Sequence, residues 1–170
     1  MSGPSAPLRP WVWLGIPALM SMAATLVAAI PLRILGVRLP EPVIPMVLAF
    51  AWPIIRPSLL GPFALLLVGL FLDLFWNSPL GFWAFALLSV YSITFLIRNL
   101  IAGQAVRVLF ACYGGLSLAV FLIAYLRLAI RSDAPPDLVP ITINAICTLA
   151  LFPIAHHLIE RFEDADIRFR

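Results

Sequence analysis

Long apolar stretches without charged residues constrain this chain more than any other feature of its sequence. From residue 59 to residue 76 the only charge is Asp73, and five further apolar runs lie along the chain. An α-helix needs about 20 apolar residues to cross the roughly 30 Å of hydrocarbon in a bilayer. The chain is 63% hydrophobic and 11% charged, against about 45–50% and about 25% in soluble domains. The sequence therefore predicts an all-α integral membrane protein.

The apolar runs divide the chain into six candidate transmembrane segments within one domain, 1–170. The segments are 11–32, 43–55, 59–76, 80–97, 108–126 and 138–158. All but the second are 18–22 residues long, which suits a membrane-spanning helix. We expect a compact six-segment helix bundle, followed by a short charged tail at 159–170.

Segment two is the exception, because it has only 13 residues and contains Pro45 and Pro53. Proline removes a backbone donor and kinks or ends a helix, and inside a membrane the freed carbonyls need cover from neighbouring helices. We therefore expect a short, broken or re-entrant helix that packs against other helices.

The arginines predict the orientation, since arginine-rich loops stay in the cytoplasm. If all six segments cross, seven arginines lie on one side and four on the other. The two sets are Arg9, Arg56, Arg98, Arg107, Arg161, Arg168 and Arg170, against Arg33, Arg38, Arg127 and Arg131. Both termini are then cytoplasmic. If segment two only dips in from the cytoplasm, the tally becomes eight against three and the N-terminus moves outside. Either arrangement keeps the C-terminus inside and the turn at 77–80 outside.

No pattern typical of an enzyme occurs in the sequence. There is no paired nucleophile and base, no phosphate loop and no metal-ligand spacing, so no catalytic, cofactor-binding or metal-binding residue is predicted. The arginines belong to loops beside lipid headgroups and do not indicate nucleic acid. His156 and His157 close segment six, where they suit a cap of the last turn better than a metal pair. Asn144 and Thr148 can bond helices together or line a cavity.

Asp73 is the one candidate site that the residues themselves define. An ionised carboxylate in hydrocarbon costs roughly 2.5 kcal/mol or more, so it faces protein or water. Gly69 lies four residues earlier on the same helical face, where its small size lets a neighbouring helix approach. Asp73 can cap the turn between segments three and four, accepting hydrogen bonds from groups around Asn77 and Ser78 or from a nearby helix, or it can contact a partner protein. A proton or ion relay is the third reading.

The run around Asp73 resembles the signature of the MreD family of rod shape-determining proteins. The shared pattern is Gly69-x-x-Leu72-Asp73-x7-Gly81, with Leu80 before the last glycine. The proline-led stretch 42–52 is similar to that family's second segment, although Pro45 and Pro53 are extra interruptions. The resemblance covers essentially the whole chain in length and segment number. It suggests structural or partner-contact roles for Pro42, Trp52, Gly69, Asp73, Asn77 and Gly81.

The resemblance implies a bacterial inner-membrane scaffold, without enzymatic activity, in the complex that builds the lateral cell wall. Its direct partner would be the single-pass protein MreC. MreB, RodA and the transpeptidase paired with RodA would belong to the same complex, with membrane lipids around it.

The family's bundle is also similar to the substrate-binding subunit of energy-coupling vitamin transporters, which supplies an alternative function. Such a subunit needs an outward-open pocket with several convergent polar groups. The outer ends of the segments offer Asp73, Asn77, Asp133 and Asp137, but little aromatic or cationic chemistry aimed at one cavity. The sequence therefore favours the scaffold.

Overall fold

The computed structural model describes residues 14–29, 33–34, 37–38, 41–101, 103–131 and 137–167. Within these ranges the fold is helical, as predicted, apart from one antiparallel pair of two-residue strands. The helices are α1 (Ile16–Ala28), α2 (Pro45–Ile55), α3 (Leu60–Phe75), α4 (Phe82–Ile101), α5 (Val106–Arg131), α6 (Leu138–Leu149) and α7 (Phe152–Ile167). The strands β1 (Arg33–Ile34) and β2 (Val37–Arg38) lie between α1 and α2. This small hairpin was not predicted.

Three stretches of the described chain are long and apolar enough to cross a membrane. They are Phe82–Ile101, Val106–Arg131 and Leu138–Arg161, the last of which contains α6 and the first part of α7. The helices α1, α2 and α3 are apolar but shorter. Large apolar side chains such as Phe63, Leu96 and Leu122 are more than half exposed, which suits contact with hydrocarbon better than contact with water. Length and composition thus indicate a membrane protein.

Helix α2 lies at the centre of the bundle. All nine residues from Pro45 to Pro53 are buried, and the helix packs against α1, α3, α4 and α7. A helix that is hydrophobic on every side lies either in a protein core or in a membrane, and here neighbouring helices cover α2. Its 11 residues rise about 16 Å, roughly half of the hydrocarbon thickness.

Prolines shape both ends of α2. Pro45 takes the first helical position, where a missing N–H leaves no bond unmade. Arg56 is extended, with φ −153° and ψ 95°, because a residue before a proline avoids the helical region. Pro53 lies inside the last turn without ending the helix. The second helix is therefore short, as predicted, but it is not broken at Pro53.

Helices α3 and α4 form the most extensively packed pair of the described helices. The two helices approach each other closely at Gly69, where an added Cβ would lie 2.3 Å from the Ala84 Cα atom and 2.6 Å from the Ala84 nitrogen. Backbone atoms cannot move away as a flexible side chain can. Only glycine at position 69 therefore allows this approach of α3 to α4.

Segment six is interrupted, which the sequence reading missed. Residues 150 and 151 form a turn between α6 and α7, and Pro153 follows at the second position of α7. Proline cannot donate the bond that a continuous helix would need there. Because α7 runs on to Ile167, His156 and His157 do not close a helix, and the predicted cap is wrong. The His156 Nδ1 atom lies instead 3.3 Å from the Glu160 Oε2 atom, one turn along.

The other segment bounds differ by a few residues. Helix α1 is shorter than segment 11–32, of which residues 11–13 and 30–32 lie outside the described ranges. Helix α5 is longer than segment 108–126 and includes Arg107, Arg127 and Arg131 near its two ends. Arginines are tolerated there because their long side chains reach the membrane interface.

The contact at Gly69 predicts a large effect for a single methyl group. Gly69→Ala should lower the thermal unfolding midpoint in detergent, because overpacking costs about 1–3 kcal/mol and the clash here is with backbone. Gly115→Ala is the matched control, since a Cβ at Gly115 meets nothing within 4 Å and alanine favours a helix. Equal midpoints for the two variants would contradict the close approach of α3 and α4.

Candidate functional site

The turn between α3 and α4 is built by residues of the motif that the sequence singled out. Asn77 has a positive φ of 49°, the left-handed conformation that asparagine adopts more easily than most residues. The Ser78 N–H donates to the Asp73 carbonyl at 2.9 Å, and the Asn77 N–H donates to the Leu74 carbonyl at 3.4 Å. This bonding is the Schellman arrangement, which satisfies the carbonyls that a helix end leaves free.

The Asp73 carboxylate crosses the same turn and binds the start of α4. Its Oδ2 atom accepts a hydrogen bond from the Gly81 N–H at 2.8 Å, and its Oδ1 atom accepts one from the Trp83 N–H at 2.9 Å. Asp73 is only 1% exposed. Its partners are thus backbone N–H groups of the neighbouring helix end, and the side chains of Asn77 and Ser78 do not supply them.

This arrangement gives the buried charge a physical reason. The first N–H groups of a helix have no partner within the helix and carry the positive end of its dipole. Hydrogen bonds from backbone N–H groups to a carboxylate are among the strong ones in proteins. Gly81 makes the geometry possible, because its φ of 95° is strained for any residue with a side chain. Asp73 therefore ties the end of α3 to the beginning of α4.

The structure brings four of the six predicted site residues together in one hairpin and places the other two before and within α2. Gly69, Asp73, Asn77 and Gly81 all belong to the α3–α4 hairpin. Pro42 precedes α2, where its carbonyl accepts a bond from the Ile44 N–H at 2.9 Å. Trp52 is buried near the opposite end of α2, at 4% exposure. Trp52 thus belongs to the core and not to the Asp73 end of the bundle.

A cleft with two compartments opens beside the hairpin. The inner compartment has a volume of about 200 Å³ and the outer one about 320 Å³. Both are lined by Ser78, Trp83, Phe121 and Asn144. The inner compartment adds Glu41, Val43 and Trp76. The outer compartment adds Asn77, Pro79, Phe82, Ala124, Arg127, Leu128, Arg131 and Ile141. Because four residues are common to both, the compartments are adjacent parts of one cleft.

Hydrogen bonds fix the polar wall of the inner compartment. The Trp76 Nε1–H donates to the Glu41 Oε2 atom at 2.8 Å, and the Glu41 N–H donates to the Asn144 Oδ1 atom at 3.2 Å. One turn further along α6, the Thr148 Oγ1 atom accepts a bond from the Val43 N–H at 3.0 Å. The chain entering α2 is thereby held against α6, and Glu41 is held against the end of α3.

Arginines and aromatic rings line the outer compartment. The Arg127 guanidinium lies over the Phe82 ring, 4.6 Å from its centroid, a distance at which a cation is attracted to the ring face. Arg131 follows one turn later on α5. The expectation of little aromatic or cationic chemistry at one cavity is therefore wrong. The sequence concealed this convergence because the groups come from α3, α4, α5, α6 and the chain before α2.

A second cavity of about 510 Å³ lies at the other end of the hairpin. Its walls are Pro57, Ser58, Leu59, Pro62, Tyr91, Ser92, Phe95, Leu96 and Arg98. The Tyr91 hydroxyl donates to the Ser58 carbonyl at 3.1 Å, and the Arg98 guanidinium lies over the Phe95 ring at 4.9 Å. This cavity is mainly apolar, with one cation at its rim.

No metal centre can be assembled from the described part of the chain, where no three His, Cys, Asp or Glu side chains come close enough to share an ion. No protein-family model, curated protein or solved structure matches this chain.

The two acceptor bonds of Asp73 predict a graded response to substitution. Asp73→Asn keeps one carbonyl oxygen but turns an NH2 group toward the other donor, so one backbone N–H loses its partner. Asp73→Leu leaves both N–H groups unpaired. At about 1–3 kcal/mol for each unsatisfied buried group, the unfolding midpoint in detergent should fall for Asn and fall further for Leu.

Asp137→Asn is the control for this series. Asp137 is exposed and its side chain makes no capping bond at the start of α6, so the midpoint should stay unchanged. A proton or ion relay at Asp73 gives a different pattern, in which Asp73→Asn and Asp73→Leu abolish function equally while both proteins unfold at the wild-type temperature.

Proposed function

We propose that this protein is a non-enzymatic membrane scaffold of the MreD type, acting in the bacterial complex that builds the lateral cell wall. The observation that carries the proposal is the internal bonding of Asp73, whose two carboxylate oxygens both accept backbone N–H groups. A carboxylate used in this way organises a helix end. The residues that resemble the MreD signature would thus share one structural role, which is to hold the α3–α4 hairpin together.

Three of the signature positions meet separate physical demands of one hairpin. Gly69 allows α4 to approach, Asp73 bonds the first N–H groups of α4, and Gly81 supplies the positive φ. Together they favour a rigid α3–α4 unit. Rigid units with exposed apolar sides suit an assembly protein, because partner helices bind to a fixed surface in the membrane.

In this proposal the chain crosses the inner membrane several times, with the C-terminus in the cytoplasm and the 77–80 turn outside. The arginine distribution supports this orientation. MreC is the direct partner, and MreB, RodA and its transpeptidase belong to the same assembly. All six apolar segments form the bundle, with α2 enclosed at its centre.

The cleft favours a second candidate function, a substrate-binding membrane subunit of an energy-coupling transporter. Such a subunit holds its ligand in a concave site with a few convergent polar groups. Glu41, Arg127, Arg131 and Asn144 provide such groups beside aromatic walls. The two functions differ in their partners, so partner identity separates them.

Cysteine labelling tests the orientation. In a background with Cys112 and Cys147 replaced by alanine, Ser78→Cys should react with a membrane-impermeant maleimide added to intact spheroplasts. Gln104→Cys and Arg170→Cys should react only after the membrane is opened, because the α4–α5 loop and the C-terminus are placed inside. Labelling of Arg170→Cys but not Ser78→Cys in sealed cells would reverse the orientation.

Purification of the tagged chain from its own membranes in mild detergent tests the function. MreC, RodA and the paired transpeptidase should co-purify in stoichiometric amounts, identified by mass spectrometry. An unrelated multi-pass protein with the same tag, expressed at the same level, is the control. Recovery of an ATPase module and its membrane coupling subunit instead would replace the scaffold by the transporter subunit.

A further inference from the structure

The cleft beside the α3–α4 hairpin carries charges of both signs in separate compartments. Arg127 and Arg131 line the outer compartment, and Glu41 lines the inner one. Arg127 and Arg131 lie in the last two turns of α5. Since this 26-residue helix is long enough to cross a membrane, both arginines would lie near a membrane interface. An occupant that satisfies all three groups carries both an anion and a cation.

The outer compartment suits a phosphate. Residues four apart on a helix lie on one face, so Arg127 and Arg131 present their guanidinium groups to the same region. Guanidinium groups bind phosphate oxygens through two parallel hydrogen bonds. Contact with the Phe82 ring orients Arg127, and the side chains of Asn77 and Asn144 add neutral hydrogen-bonding groups to the same wall.

The inner compartment suits a primary ammonium group. The Trp76 indole holds the Glu41 carboxylate in place through the 2.8 Å bond to Oε2, so a cation would meet a fixed partner. The rings of Trp76 and Trp83 stand edge to face, with centroids 5.0 Å apart, and aromatic faces attract ammonium groups. A volume of about 200 Å³ has room for an aminoethyl group and water, since one water occupies roughly 30 Å³ in the liquid.

The surroundings of the cleft favour a lipid over a free solute. The outer compartment is walled by apolar side chains such as Leu128 and Ile141. Leu128 itself is 47% exposed, so this apolar wall reaches the outer surface of the bundle. A headgroup in the cleft would leave its acyl chains beside this wall.

We propose that the cleft binds the headgroup of an ethanolamine phospholipid, with its phosphate at Arg127 and Arg131 and its ammonium at Glu41. This proposal goes beyond the scaffold function and does not depend on it, because it concerns lipid selectivity of the isolated protein. If the arginines only stabilised the end of α5, replacing them would change stability and not lipid binding. Measuring lipid selectivity therefore separates a structural role from a lipid-binding role.

Native mass spectrometry of the full-length protein, delipidated in detergent, tests the site. Phosphatidylethanolamine, phosphatidylglycerol and phosphatidylcholine with identical acyl chains are added in equal amounts. The ethanolamine lipid should bind in preference to the other two. Equal binding of all three lipids, or a preference for phosphatidylglycerol, would overturn the proposal.

Three variants assign the two halves of the headgroup. The double variant Arg127→Gln and Arg131→Gln should weaken binding of every phospholipid roughly tenfold, as expected for lost charge-assisted hydrogen bonds. Glu41→Gln should reduce the preference for ethanolamine over glycerol to about one, because only the ammonium contact is changed. Arg107→Gln is the matched control, since Arg107 is an exposed arginine at the opposite end of α5, and it should leave binding unchanged.

Two further measurements keep the test decisive. If the double glutamine variant does not remain monodisperse, the corresponding double lysine variant keeps the charges and should retain most of the lipid binding. Millimolar inorganic phosphate should not displace the bound ethanolamine lipid. Displacement by phosphate at that concentration would show a site for a free anion and refute the lipid assignment, as would unchanged selectivity in Glu41→Gln.

Discussion

The bonding of one buried carboxylate to the start of the next helix is the constraint on which the Asp73 end of the bundle depends. Two N–H groups at the beginning of α4 have no partner within the helix and need acceptors. Asp73 meets both needs at 2.8 and 2.9 Å, and these N–H groups in turn stabilise the charge. The bond fixes the angle and register of α4 on α3, and Gly69 one turn earlier allows the two backbones to approach closely. A charge that is costly in a membrane thus becomes the link between two helices.

The backbone groups at the start of α2 also need hydrogen-bond partners, and they find them in side chains. Helix α2 is enclosed by other helices, and the backbone N–H groups just before it have no partner within the helix. Side chains of α6 accept the hydrogen bonds of these groups. Thr148 is the clearest example: its hydroxyl accepts the Val43 N–H, and its carbonyl accepts the Tyr113 hydroxyl at 2.9 Å. One residue thereby joins the beginning of α2, the middle of α5 and the end of α6. Tyr113 also packs its ring edge-on against Phe50, which extends this junction into the apolar core.

The features that the sequence predicted are those that depend on local chemistry. Apolar runs located α3 and α4 to within a few residues, and prolines correctly predicted a short α2, because hydropathy and missing donors act within a segment. The sequence also indicated that Asp73 accepts hydrogen bonds either from groups around Asn77 and Ser78 or from a nearby helix, and the second alternative is the one observed. The actual donors are backbone groups, which no residue type reveals. The break before Pro153 was missed since hydropathy continues through it. The cleft was missed for a stronger reason: Glu41, Arg127 and Asn144 are far apart in sequence, and only the packing of α5 and α6 brings them together.

The hairpin and the cleft are physically connected through Trp83. Its backbone N–H is one of the two donors to Asp73, while its ring lines both compartments and packs against Trp76. Trp76 closes α3 and bonds Glu41. The carboxylate that fixes the start of α4 therefore also fixes the position of the aromatic wall, and with it the distance between the acidic and the basic compartment. A substitution of Asp73 would therefore alter the cleft through Trp83, even when Arg127 and Arg131 are unchanged. The rigidity of the α3–α4 hairpin and the shape of the cleft are thus two consequences of the same hydrogen bonds.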